Sequence, residues 1–148
     1  MVAEGTPAPD FELETDTGET VKLSALRGRP VVLFFYPKDE TRGCTIQACG
    51  LRDVYPDFEG RAHVFGISID DAESHRAFRE NHSLPFPLLV DPGNRVADAY
   101  GIDRIEYEGD TLYKRQTVIV DEDGNVARAM DAVDAETHAA DALAAIGS

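Results

Sequence analysis

The sequence predicts an α/β fold with a mixed central sheet flanked by helices. Three observations carry this prediction. Short apolar runs of strand type, "RPVVLFFYP", "AHVFGISID" and "FPLLVD", alternate with stretches of helical periodicity. A later pair of strand patterns turns tightly near Asp123-Gly124, so part of the sheet is antiparallel. The 148 residues show no repeat, linker or low-complexity segment, and the length suits one domain spanning residues 1–148.

Taken in order, "DFELETDTGETVKLSAL" reads as two short strands around a turn at Asp16-Thr17-Gly18, an N-terminal β-hairpin extension. "RPVVLFFYP" is continuously apolar and rich in β-branched and aromatic residues, as befits a strand covered on both faces. From about Gly43 to Phe58 the pattern turns helical, with Ile46, Leu51, Val54 and Phe58 inward. "AHVFGISID" is a second buried strand. Asp70 or Asp71 then caps a helix running through about His82. "FPLLVD" is a third strand, and "NRVADAYG" a short helix ending at Gly101. "LYKRQTVIVDEDGNVARAMD" reads as a hairpin, followed by a helix from about Asp134 to Ile146. A thioredoxin-like fold is the natural candidate for this order of elements. In open α/β sheets, sites gather beyond the carboxyl ends of strands, which is where "VVLFFYP" runs out.

Composition narrows the function. The formal charge of −14 disfavours nucleic acid and anionic lipid as partners. The longest apolar run, Val31 to Tyr36, is too short to span a membrane, and the N-terminus lacks a basic start and an apolar core of secretory type. A cytoplasmic protein is expected. So acidic a surface suits high salt, where about 1 M ionic strength screens charge within roughly 3 Å; a merely acidic protein is the alternative.

The two cysteines, Cys44 and Cys49, follow directly on the most apolar strand. In a reducing compartment such cysteines are reactive, metal-binding or buried more often than they are structural bridges. A thiol in the first turn of a helix meets unpaired N–H groups and the positive end of the helix dipole. Its pKa falls there from about 8.5 into the range of roughly 3.5–7.5. The protein's net negative field opposes that shift, so local positive charge is required, and Arg42 and Arg115 are the candidates. Five positions along one straight helix separate Cα atoms by about 8.6 Å, beyond the roughly 7 Å a disulfide tolerates. Any bond between the two must unwind at least a turn, so the spacing reads as a switch. Taken singly, Cys49 is a packing residue, Arg115 an ion-pair partner and Thr41 a helix cap. Metal binding is weakly supported, because His63, His75, His82 and His138 show no close ligand pairing, and His75 and His82 read as surface imidazoles on one helix.

Pro37, Thr41 and Cys44 match the pattern P-x-x-x-T-x-x-C, and Cys49 lies within "GCTIQACGLRD". This stretch resembles the atypical two-cysteine peroxiredoxins of the bacterioferritin-comigratory or Q type. "GTPAPDFEL", "LSALRGRPVVLFFYPKDET", "FGISID", "FPLLVD" and "RQTVIVDEDG" resemble family segments in family order, so the likeness covers nearly the whole chain. The resemblance implies a thioredoxin-like fold and a thiol peroxidase acting on hydrogen peroxide and organic hydroperoxides. Cys44 would be the peroxidatic cysteine and Cys49 the resolving one, joined in an intramolecular disulfide. Pro37, Thr41, Gly43 and Arg115 would shape the pocket and bind the peroxide. A thioredoxin-like dithiol would reduce the disulfide, with no metal or organic cofactor, in a monomer. One departure stands out: where the family usually reads T-P-G-C, this chain has Thr41-Arg42-Gly43-Cys44. Arginine gives up the backbone restriction of proline and adds charge near the thiol.

A copper-binding thioredoxin-like protein is a rival, but it would carry C-x-x-x-C, which puts both thiols on one helix face. A general disulfide oxidoreductase would carry C-x-x-C. A non-catalytic redox sensor could use the same helix switch.

Overall fold

A computed structural model describes residues 1–146. A seven-stranded mixed sheet forms its centre. β1 (Glu12–Thr15) and β2 (Thr20–Lys22) make the N-terminal hairpin, with Gly18 at φ +86° in the turn, a conformation that glycine adopts without strain. "LSAL" is not the end of a strand but a 3₁₀ turn, Leu23–Leu26, with Leu23 buried.

β3 (Val31–Phe35) is buried at every residue, as the unbroken apolar run requires of a strand covered on both faces. It lies parallel to β4 (His63–Ser68), which lies parallel to β5 (Leu88–Val90). β8 (Gln116–Val120) runs antiparallel to β3, with Phe35 opposite Gln116, and β9 (Val126–Met130) runs antiparallel to β8. The spatial order is β2-β1-β5-β4-β3-β8-β9. The N-terminal hairpin thus extends the sheet through β1 and β5 rather than standing apart from it.

Helix α1 (Arg42–Phe58) and helix α4 (His138–Ala145) cover one face together with α2 (Ala72–His82). The apolar cluster on this face joins Phe34, Tyr36, Cys44, Leu51, Phe58, Phe78, Phe86 and Ala142. Ile46 and Val54, expected inward, are only half-buried; Cys44, Gln47 and Ala48 take the inward face with Leu51 and Phe58. The other face packs Leu33, Phe35, Ile67 and Leu89 against α3 (Arg95–Ala99) and the aromatic rings of Tyr100 and Tyr113.

Two segments depart from expectation. Leu112 and Tyr113 do not belong to the β8–β9 hairpin. They lie in β7 (Asp110–Tyr113), which pairs with β6 (Arg104–Tyr107) as a separate ribbon, and Lys114-Arg115 form the break before β8. Helix α4 begins at His138, not Asp134. The Asp134 carboxylate accepts a hydrogen bond from the Glu136 backbone N–H at 2.8 Å, a local turn that competes with helix propagation. No helix among the described residues is long and apolar enough to cross a membrane.

Candidate active site

The antiparallel pairing of β3 with β8 creates the site. The chain leaves the sheet after Phe35 and enters it at Gln116, its partner in register, so Tyr36–Cys44 and Arg115 meet at one sheet end. Thr41 is the residue before α1, with φ −74° and ψ 153°, and Cys44 falls in the first helical turn. Its side chain is buried, 1% exposed. Arg115 Nη1 stands 3.5 Å from Cys44 Sγ and also donates to Gln47 Oε1. A guanidinium therefore reaches the sulfur of a residue in the first helical turn, where backbone N–H groups lack helical partners. Gly43 makes this approach possible: a Cβ there would stand 2.7 Å from Arg115 Nη2.

Pro37, Thr41, Arg42, Gly43 and Arg115 line a cavity of about 280 Å³ whose far wall is Ile105, Tyr107 and Leu112 of the β6–β7 ribbon. Thr41 does not act as a side-chain cap; its hydroxyl donates to Lys38 O at 2.8 Å, which leaves the oxygen as an acceptor. Arg42 is exposed on the rim of this cavity. Of the two candidate cations, Arg115 is the one that reaches the sulfur. Cys49 is half-buried on the same unbroken helix, and both thiols are free.

The loop before α1 is tied to α2 by groups that sequence reasoning missed. Asp39 is buried and accepts from Tyr36 Oη at 2.6 Å and from Ser74 Oγ at 2.8 Å. Its Oδ2 lies 2.7 Å from His75 Nδ1, while His75 Nε2 lies 2.9 Å from Leu89 O. His75 is thus no surface imidazole; it is fully buried, because Asp39 and a strand carbonyl satisfy both ring nitrogens. Glu40, at φ +64°, is held by Asn81 Nδ2 and His82 Nε2, each at 2.6 Å. Burial works against its charge, but these two hydrogen bonds keep the Glu40 carboxyl below its usual pKa.

Asp39, Asp70 and His75 bring ligand atoms within 4.8 Å of one another. Their donor set is already engaged, however, since Asp70 Oδ2 accepts from the Asp39 backbone N–H and Ser68 Oγ. The cluster acts as a clamp on the loop. Gln47, three residues after Cys44, lies on the same helix face, a spacing that could have flagged it from sequence. Nothing local could have flagged its partner, His138, whose Nδ1 lies 3.2 Å from Gln47 Nε2 across 91 positions.

Comparison with known proteins agrees in one direction. A family model described as the AhpC/TSA family matches residues 5–129. The chain is 42% identical to peroxiredoxin Bcp of Bacillus subtilis over 143 residues, covering 94% of this chain and 91% of that one. It is 48% identical to the chloroplastic peroxiredoxin Q of rice, Oryza sativa subsp. japonica, over 126 residues, 84% of this chain. It spans 57% of the length of that plant relative. Peroxidoxin BcpB of Mycobacterium tuberculosis superposes with a TM-score of 0.88 at 37% identity, covering 99% of this chain and 97% of that one. The bacterioferritin comigratory protein of Xanthomonas campestris, whose structures concern alkyl peroxide reduction activity, superposes with a TM-score of 0.86 at 29% identity, covering 97% of each chain.

Proposed function

We propose, from the premise that this chain belongs to the AhpC/TSA family, that it is a thiol peroxidase in which Cys44 is the nucleophile and Cys49 the resolving thiol. The observation that carries the reading is the Cys44 sulfur, placed in the first turn of α1 with a guanidinium nitrogen 3.5 Å away. In the first step the thiolate attacks the terminal oxygen of a hydroperoxide. An S–O bond forms, the O–O bond breaks, and the leaving oxygen takes a proton to become water or an alcohol. Negative charge moves from sulfur to the peroxide oxygens. Arg115 and the N–H groups of Gly43 and Cys44 are fixed donors for that charge, and the Thr41 oxygen is an acceptor for the peroxide O–H. Pro37 shields the sulfur from water.

Cys44 then carries a sulfenic acid. The Cys49 thiol attacks its sulfur, water leaves, and a disulfide forms. Because α1 is continuous through both positions, its first turns must unwind for this step. A thioredoxin-like dithiol returns the protein to the reduced state by exchange. The apolar wall of Ile105, Tyr107 and Leu112 supports organic hydroperoxides as substrates alongside hydrogen peroxide. We place this activity in a cytoplasmic monomer whose whole chain is one domain and whose acidic surface suits high salt.

A peroxide-consumption assay with a thioredoxin system tests the reading. The wild type turns over, Cys44→Ser is inactive, and Cys49→Ser reacts once and then accumulates sulfenic or overoxidised Cys44. Turnover by Cys44→Ser would remove Cys44 as nucleophile. Normal recycling by Cys49→Ser would remove Cys49 as the resolving thiol.

A further inference from the structure

Arg115 is braced from behind the sulfur that it faces. An arginine only donates, so the Gln47 atom that meets it is the carbonyl oxygen, and the Gln47 amide nitrogen must donate elsewhere. It donates to His138 Nδ1 at 3.2 Å. That nitrogen therefore accepts, and the ring proton sits on Nε2, which lies 2.8 Å from Thr117 Oγ1. Donation runs one way through the row: guanidinium to amide, amide to imidazole, imidazole to hydroxyl. Gln47, Thr117 and His138 are at most 1% exposed, and they come from α1, β8 and α4 respectively. Helix α4 packs against α1 at this level, with Ala139 over Gly50: an added Cβ at Gly50 would stand 3.7 Å from the alanine methyl, an ordinary contact.

We infer that His138 is a positioning residue for Arg115, acting through Gln47: its imidazole fixes the Gln47 amide so that the carbonyl holds the guanidinium beside Cys44. The inference rests on the reading of Cys44 as nucleophile. Without an acceptor at His138, the buried Gln47 amide nitrogen is left unpaired, and rotation of the amide to re-pair it takes the carbonyl away from Arg115. The guanidinium is then free to sample other rotamers, and the donor set facing the peroxide is no longer preorganised.

Stopped-flow kinetics separates the two chemical steps and tests this. His138→Phe removes the acceptor, whereas His138→Asn keeps a carbonyl oxygen near the Nδ1 position. We expect His138→Phe to slow Cys44 oxidation about tenfold and His138→Asn to stay within about threefold of wild type. Disulfide formation from the sulfenic acid should be unchanged in both. In an Arg115→Ala background, His138→Phe should cause no further loss of oxidation rate, because it acts through the missing group. A full oxidation rate in folded His138→Phe, equal losses in the Phe and Asn variants, or an undiminished loss without Arg115 would overturn the inference. Should His138→Phe fail to fold, Thr117→Val removes the acceptor for Nε2 instead. Its loss of oxidation rate must likewise vanish in Arg115→Ala, and no loss at all overturns the inference. A wild type that does not consume peroxide sinks the peroxidase reading and this inference together, whereas an active wild type with insensitive variants sinks only the role of His138.

Discussion

Gly43 is needed for proximity rather than for a special backbone conformation. A methyl group there would stand 2.7 Å from Arg115 Nη2, and the atom it meets is the end of a flexible side chain. Gly43→Ala should therefore leave folding stability unchanged or slightly raised, since alanine is favoured over glycine in a helix by about 0.8–1.0 kcal/mol. The guanidinium must retreat, and oxidation of Cys44 should slow by about tenfold or more, given the usual cost of a displaced oxyanion donor. Thermal melts beside stopped-flow oxidation rates check both halves, and a variant oxidised at the wild-type rate would contradict the geometry. His138 gives the residue scale its pH signature. Desolvation pushes its pKa down from 6.5 to about 4, with Asp141 opposing and the Arg115 charge assisting. In the unfolded chain the ring takes up its proton near 6.5. Between about 6.5 and 4 the unfolded state therefore binds more protons, and stability falls as pH falls through that window, by on the order of 3 kcal/mol once below it. Chemical denaturation at pH 7 and pH 4.5 should show this loss, and it should shrink in His138→Asn.

On the proposed mechanism, helix α1 is a good helix in the reduced protein and a poor one after oxidation, and Arg42 bears on that balance. It occupies the first helical position, where an N–H has no helical partner. Thr41 before it, at φ −74° and ψ 153°, already has the extended geometry that a following proline demands. Arg42→Pro should therefore stabilise the start of α1 by about 0.4–1 kcal/mol. The same change should slow disulfide formation about two- to fivefold, because unwinding precedes it. Overoxidation of Cys44 at high peroxide would rise in parallel, and mass spectrometry of the oxidised thiol measures it. What was legible in the sequence follows the same division between local and distant. The cap of α2, expected at Asp70 or Asp71, is Asp71, bonded to Ser74 N at 2.9 Å; it and the glycine turns at Gly18 and Gly124 are fixed by neighbours in the chain. Pro37, Thr41 and Cys44 were equally plain, being one short segment. The β6–β7 ribbon was missed because it is short and mostly polar, and because it turns on Glu108-Gly109, at φ +50° and +85°, without the usual asparagine or aspartate. The burial of His75 and the pairing of Gln47 with His138 were invisible because each depends on a helix docking from far along the chain.

At the scale of the molecule, 28 acidic side chains oppose 14 basic ones. The salt bridges Arg104–Asp98, Lys114–Asp131 and Arg128–Glu4 all include a well-exposed carboxylate, so screening them forfeits little. Screening the repulsion among the remaining acids gains more, as the Debye length falls from about 10 Å at 0.1 M to about 3 Å at 1 M. The melting temperature should rise as potassium chloride goes from about 0.1 M to above 1 M, and a flat or falling curve would remove the high-salt reading of the surface. The strand order has a further consequence. The sulfur hangs from the exit of β3 and the guanidinium from the entrance of β8, so the two meet only when those strands zip side by side. The tip of the β6–β7 ribbon at Gly109, exposed and at φ +85°, lies between them in the chain. A polypeptide nicked there would leave Cys44 on one fragment and Arg115 on the other. On the proposed mechanism each fragment alone would be chemically mute, and recovered turnover on mixing would report reassembly of the sheet itself.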